Sequence, residues 1–374
     1  VRYRLLVVFT TLLILGTVLY GSVHVFRGRL FLTELDERID GGYFTVLDPQ
    51  GRVLLQTGRV LSVGDEFITA AGEEYVIYRL QGDYAYARPR RGAARTGRHD
   101  PAWYRIWLGR VEGRAAQGRA PGTVGILHTH SAESYVPSDG TESQKTGGGI
   151  LQVGQVFAGA LKEQGLRVIH DTTSHVPHDA GAYTRSRRTA AALLRQNVDA
   201  IFDVHRDAAP PEAYQTQING QPATHILLVV GRQNPNLAAN RSFAQELKSA
   251  VNAVEPGLVK GILTARGRYN QDLFDRMVIL EVGAHTNRRE DAKIAVTTVA
   301  QAVPAALNGG GAARAVRGRI AWTTLAWLVV GVAAALFAYL YLATGSWQEF
   351  RSKLRDFLAR RWPAGVFRRA GPRS

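Results

Sequence analysis

The sequence predicts an α/β domain over residues 123–310, preceded by a small all-β module at 28–87, with a transmembrane helix at each end. Three observations lead there. From residue 123 short apolar runs alternate with amphipathic runs at helical spacing, the pattern of strands and helices in one layered domain. Residues 43–87 show only short apolar runs broken by turn signals, Asp48-Pro49-Gln50-Gly51 and Gly82-Asp83 among them, the pattern of an all-β unit. Residues 5–26 and 320–343 are apolar over 22 and 24 positions, with His24 the one ionisable group in either. Each is long enough to cross a hydrocarbon core of roughly 30 Å as a helix.

Taken in order, residues 1–27 read as an uncleaved anchor, because the apolar run exceeds the roughly 7–15 residues of a signal-peptide core. The β module follows, without a constellation that carries chemistry. Residues 88–122 form a basic linker, with nine Arg across 88–120 against Asp100 and Glu112. Within 123–310 the runs TVGIL, RVIH, DAIFDV, HILLVV and MVILEV read as strands, and 150–164, 184–197, 236–254 and 290–307 as helices. A second membrane helix at 320–343 leads to a basic tail at 344–374. Arg351, Lys353, Arg355, Arg360 and Arg361 follow that span, so the positive-inside rule expects both termini in the cytoplasm and residues 28–319 outside the cell membrane. In the tail, 347–362 spaces its aromatic and leucine residues as an amphipathic helix on an anionic leaflet.

Composition removes several function classes. The chain has no cysteine, which excludes disulfides, thiol nucleophiles and cysteine-ligated metals. The net charge of +15 is concentrated in the linker and the tail, and neither stretch carries a nucleic-acid-binding motif. The sequence therefore predicts no nucleic-acid partner.

Chemistry gathers at three predicted strand ends. TVGIL runs into His128-Thr129-His130-Ser131-Ala132-Glu133, DAIFDV into His205-Arg206-Asp207, and MVIL into Glu281-Val282-Gly283-Ala284-His285. In open α/β sheets ligands collect at the carboxyl ends of strands. A catalytic zinc takes about three nitrogen or oxygen ligands and leaves one position open, which His130, Glu133 and His205 satisfy. Glu281 is the candidate general base. His128 rivals His130 as a ligand and otherwise joins His285 and Arg206 as a candidate substrate contact. Arg185 and Arg187, at a predicted helix start, read as anion-holding groups, and Asn270 and Gln271 as donors to a substrate backbone or caps of a turn.

With these residues assembled, the chain resembles the stage II sporulation protein P family. The matching words are VGILHTHSAESY, GAYTRSR, DVHRDA, YNQDL and LEVGAHTN, in that order across roughly 123–307, and the β module also looks like the region preceding the family's catalytic domain. The resemblance implies a zinc N-acetylmuramoyl-L-alanine amidase on the fold of amidases related to zinc carboxypeptidases, with endopeptidase activity on peptidoglycan cross-links. It further implies work at the septal membrane during forespore engulfment, with the stage II sporulation D and M proteins as partners. The second apolar span departs from the family pattern. In amidases of this kind a glutamate further along can be the ligand, so Glu142 competes with Glu133. An endopeptidase or carboxypeptidase acting on stem peptides alone, and a catalytically silent glycan-binding scaffold, are the competing readings.

Overall fold

The computed structural model describes residues 37–90 apart from 39, residues 122–309, and residues 348, 351 and 352. By backbone contact the chain divides into two units, Val1–Gly309 and Gly310–Ser374. In the second, Gln348, Arg351 and Ser352 are helical.

The first unit is built on one 11-stranded sheet. In chain order its strands are β1 (Phe44–Leu47), β2 (Val53–Thr57), β3 (Glu66–Thr69), β4 (Glu74–Gln81), β5 (Tyr84–Pro89), β6 (Thr123–Leu127), β7 (Arg167–His170), β8 (Ala200–Asp207), β11 (Ile226–Gly231), β12 (Val259–Ala265) and β13 (Met277–Ala284), with β9 (Gln215–Ile218) and β10 (Gln221–Thr224) forming a separate hairpin. The spatial order is β2-β1-β5-β4-β3-β12-β11-β13-β8-β6-β7. The helices are α1 (Val136–Asp139), α2 (Ile150–Glu163), α3 (Ala182–Leu194), α4 (Leu237–Val254) and α5 (Arg289–Gly309).

The sheet is mixed. β7, β6, β8 and β13 run parallel, β11 opposes β13, and β12 pairs parallel with β11 and antiparallel with β3. The all-β module therefore continues the main sheet through the β3–β12 seam. Strands buried on both faces read as continuous apolar runs, and ILLVVG of β11 is buried at every position.

Alternation along each strand assigns two cores. Phe202, Val204, Leu228, Leu280 and Val282 pack with Phe157 of α2, Phe243 and Leu247 of α4, and Val296 and Val299 of α5. On the other face Leu227, Val229, Leu263 and Ile279 share a cluster with Val46, Leu55, Phe67 and Ile77 of the module. Asp203, His205 and Asp207 alternate with Phe202 and Val204 along β8, so they lie on the face away from α2. Glu281, between Leu280 and Val282 on β13, is directed the same way, in register with His205.

The expectation of a transmembrane helix at each end is corrected. Among the described residues no helix is long and apolar enough to cross a membrane. Residues 5–26 and 320–343 lie outside the described residues, as do 91–121 of the basic linker and most of the tail. The expectations that depended on those helices, a cell-membrane location with both termini cytoplasmic, fall with them. Apolarity and length measure only whether a segment is compatible with a bilayer.

Candidate metal centre

Local backbone geometry aims the first two residues. β6 ends at Leu127 and the chain turns at once, the Glu133 N–H donating to the His130 carbonyl at 3.0 Å. That turn brings residues i and i+3 together, and the His130 Nδ1 lies 3.0 Å from Glu133 Oε1. β8 delivers the third: His205 Nδ1 is 3.2 Å from the same Glu133 oxygen, while Glu133 Oε2 accepts the Arg206 backbone N–H at 2.9 Å. One carboxylate thus joins both imidazoles and the backbone of β8.

The far side of His205 also faces a carboxylate, at ion-pair distance. Its Nε2 lies 3.0 Å from Asp203 Oδ1, and Thr129 fixes that carboxylate with its N–H at 2.8 Å and its hydroxyl at 2.6 Å. A carboxylate behind an imidazole, orienting the ring, is the usual support of a metal-ligating histidine.

Two further residues, unforeseen in the sequence, complete the group. Glu37 Oε2 lies 3.0 Å from His130 Nδ1 and 3.4 Å from His178 Nε2, and Glu37 Oε1 accepts from Arg206 Nη1 at 3.0 Å. Glu37, His130, Glu133 and His178 can each offer a ligand atom with all four atoms within 4.8 Å of one another. This group can hold a metal ion. His205 stands outside that four-member set but shares Glu133 with it.

The chemistry of the site fits a cation. Glu37, Glu133, Asp203, Asp207 and Glu281 are buried, and among the described residues buried Arg59 and Arg206 stand beside them as counter-charges. His130 Nε2 is buried without a hydrogen-bond partner among the described residues. Burial would depress the His130 imidazolium, yet hydrogen bonds to Glu133 and Glu37 push it up to about 9. Burial likewise opposes ionisation of Glu133, and the charges of His205 and Arg206 with the imidazole hydrogen bonds hold it well below the carboxylate range. Hard carboxylate oxygens and imidazoles without thiolates suit a divalent ion of the zinc type.

Glu281 occupies a different environment. Arg59, a fully buried side chain from the turn after β2, donates from Nε to Glu281 Oε1 at 2.7 Å, pairs with it again through Nη2, and reaches the Tyr183 hydroxyl at 3.2 Å. Gly58 permits this approach, since a Cβ there would lie 2.5 Å from the Ala208 Cβ; its N–H donates to Asp207 Oδ1 at 2.7 Å. Burial pushes the Glu281 carboxyl up to about 7 against the pull of Arg59. Its Oε2 is buried without a hydrogen-bond partner among the described residues. Gly283, at φ +70°, shifts the register of β13 between Glu281 and Ala284 and ends the regular ladder just past Glu281.

The remaining candidates are placed as follows. His128 is fully buried, with Nδ1 on the Val204 carbonyl and Nε2 on His170 at 2.9 Å each, so His130 rather than His128 joins the cluster. Glu142 is exposed, in contrast to buried Glu133. Arg206 is buried on Glu37, and half-buried His285 takes its backbone to Asp207 and Val136. Arg185 is tied to Asp179 and the His175 carbonyl, and Arg187 to Asp272 and Asn270. Asn270 donates to the Tyr183 carbonyl at 2.9 Å, and Gln271 bridges Gly231 and Val229. Arg187, Asn270 and Gln271 knit α3, β11 and the 269–273 loop together, and Arg185 ties α3 to the 175–179 segment before it.

The titrating groups set a pH dependence for the metal-free protein. His130 is raised from an ordinary value of 6.5 to about 9, so its contribution is fully present below 6.5 and lost as pH rises through 9. Glu281, raised from 4.5 to about 7, contributes below 4.5 and loses that contribution as pH rises through 7. Glu37 and Glu133 are shifted down, so their contribution is present above the ordinary carboxylate value and lost in more acidic solution. The chelator-treated protein is therefore expected to lose melting temperature steadily from pH 6 to pH 9, while zinc-supplemented protein, with an ion in place of the His130 proton, loses less. Thermal melts across that range test this; parallel curves with and without metal contradict it.

The fold and this cluster define the class: an α/β protein with a buried His/Glu group, able to hold a metal ion, at the carboxyl ends of parallel strands. The chain belongs to the Stage II sporulation protein P family, whose model matches residues 109–304. It is 29% identical over 194 residues to Stage II sporulation protein P of Bacillus subtilis (strain 168), a match covering 47% of this chain and 48% of that one. The chain thus spans about half the length of that curated relative. Among solved structures it matches the N-acetylmuramoyl-L-alanine amidase of Clostridium difficile 630 (17% identity, TM-score 0.34, 52% of this chain and 100% of that one). It also matches the amidase Ami1 of Mycobacterium smegmatis (14% identity, TM-score 0.36, 51% and 100%). Likenesses of that size assign no activity.

Proposed function

We propose that the protein is a zinc-dependent N-acetylmuramoyl-L-alanine amidase that thins peptidoglycan during sporulation, cleaving the amide between glycan and stem peptide and, secondarily, peptide cross-links. The catalytic domain in this reading is 123–310, completed by Arg59 from the β module. Septal wall thinning in forespore engulfment, with the stage II sporulation D and M proteins as partners, belongs to the same proposal through family membership.

The observation that carries it is the single carboxylate of Glu133 binding His130 and His205 together, beside a buried carboxyl with one free oxygen, Glu281. His130, Glu133 and His205 would hold zinc, which when bound supplies Lewis-acid polarisation and lowers the pKa of a water towards ~7. Asp203 keeps His205 oriented. Glu281, raised to about 7, is balanced to take a proton at Oε2 and return it to the leaving amine, while Arg59 fixes Oε1.

The test is mass spectrometry of peptidoglycan digested by the purified chain with and without a chelator. Stem peptides beginning at L-alanine, lost on chelation, are the expected products. Products that are only shortened or uncrosslinked would move the assignment to an endopeptidase, and wall binding without products would move it to a silent scaffold.

A further inference from the structure

The ligand set read for zinc leaves out a second carboxylate at His130. Glu37 stands 93 residues from His130 in the chain, ahead of the first strand of the β module, yet its oxygen is as near His130 Nδ1 as that of Glu133, 3.0 Å in both cases. It is 3% exposed, and its two oxygens are divided between His130 with His178 on one side and Arg206 on the other. The backbone holds it there: Glu37 forms an isolated antiparallel bridge with Arg59, and the Arg38 N–H donates to the Gly58 carbonyl at 2.8 Å. The same turn that presents Arg59 to Glu281 therefore presents Glu37 to the histidines.

A catalytic metal site keeps one position open, whereas a site filled by protein donors is closed. Here His130, Glu133, His205 and Glu281 are each at most 2% exposed, which leaves them little surface for a glycan strand to reach. Glu37, His130, Glu133 and His178 each bring a donor atom within 4.8 Å of the others, so Glu37 adds a further negative donor beside His130 and Glu133.

We propose that Glu37 is a removable further ligand that restrains the metal centre: with its carboxylate in place the protein binds metal and hydrolyses slowly, and its withdrawal frees the position that hydrolysis needs. This rests on the metal-amidase reading above. The displaced carboxylate is an acidic group delivered by the N-terminal side of the chain, so the restraint on the enzyme is covalently its own.

The test uses the full chain with Glu37→Gln, which keeps size and a hydrogen bond to Arg206 but loses the charge, and Glu37→Ala as a second variant. Zinc affinity is measured by competition with a chromophoric chelator, and the d–d absorption of the cobalt-loaded protein is followed from pH 5.5 to 9. Both variants are expected to bind zinc about tenfold more weakly or worse. They should also show a cobalt spectrum that titrates near neutral pH as a water enters, where the wild type shows none. Digestion of peptidoglycan should be several-fold faster. Equal affinity and identical cobalt spectra in wild type and variants would overturn the proposal, as would a wild type that binds neither metal. Changed spectra without any wall digestion would retain Glu37 as a ligand and instead sink the amidase reading.

Discussion

Replacing Glu281 with Gln is expected to reduce peptidoglycan hydrolysis by about 10²–10⁴-fold, the range over which a positioned acid–base group acts, while zinc content and melting temperature stay near wild type. Gln is tolerated because the neutral form is already accessible there: burial pushes the carboxyl up to about 7. The amide oxygen still accepts from Arg59 Nε, which donates at 2.7 Å in the wild type, so the buried guanidinium keeps a partner. What is lost is the basicity of Oε2, the one oxygen of that carboxyl with no hydrogen bond among the described residues. Single-turnover digestion with metal analysis on the same sample separates the outcomes. Retained hydrolysis would place the base elsewhere, and lost metal would make Glu281 a ligand.

The parts of this site that were legible in the sequence are those that a strand end encodes locally. An apolar run followed immediately by HTHSAE, HRDA or EVGAH places the polar group where the strand leaves the core, and alternation then fixes the face. Glu37 and Arg59 carry no such signal. They lie in the β module, whose pattern reports only burial and turns, and their partners are 93 and 222 residues away. The seam that makes them part of the site, β3 on β12, was hidden because VKGILTA carries a charged residue, Lys260, and a glycine in its first half and was not read as a strand. The β9–β10 hairpin was missed although its signal was present: Asn219 and Gly220 both adopt positive φ, as the Asn-Gly dipeptide of a tight hairpin turn predicts. Arg185, Arg187, Asn270 and Gln271 each have hydrogen-bond partners within the fold, which sequence spacing alone does not disclose.

The second large effect separates the two histidines that the HTH triplet offers. His130→Ala is expected to weaken zinc binding by more than 10²-fold, beyond the 10–100-fold typical of losing a supporting residue, and to abolish hydrolysis. His128→Ala is expected to keep one bound zinc per chain and to lose stability instead. The difference follows from their partners. His130 faces Glu133 and Glu37 and has a buried nitrogen with no protein partner among the described residues. His128 spends both nitrogens inside the fold, on the Val204 carbonyl and on His170, and burial, with the charge of His170, pushes its imidazolium down to about 3, so it stays neutral. Truncating it leaves the buried Val204 carbonyl without that donor, a cost of about 1–3 kcal/mol, and opens a cavity besides. Gly154 shows how closely the protein is built around this ring, since a Cβ there would lie 2.3 Å from His128 Nε2. Metal content after dialysis and urea unfolding of both variants read the two roles apart. If His128→Ala loses the metal and His130→Ala keeps it, the ligand assignment moves two residues back towards the strand, and Glu133, which reaches only His130 and His205 among these three histidines, would need a different role.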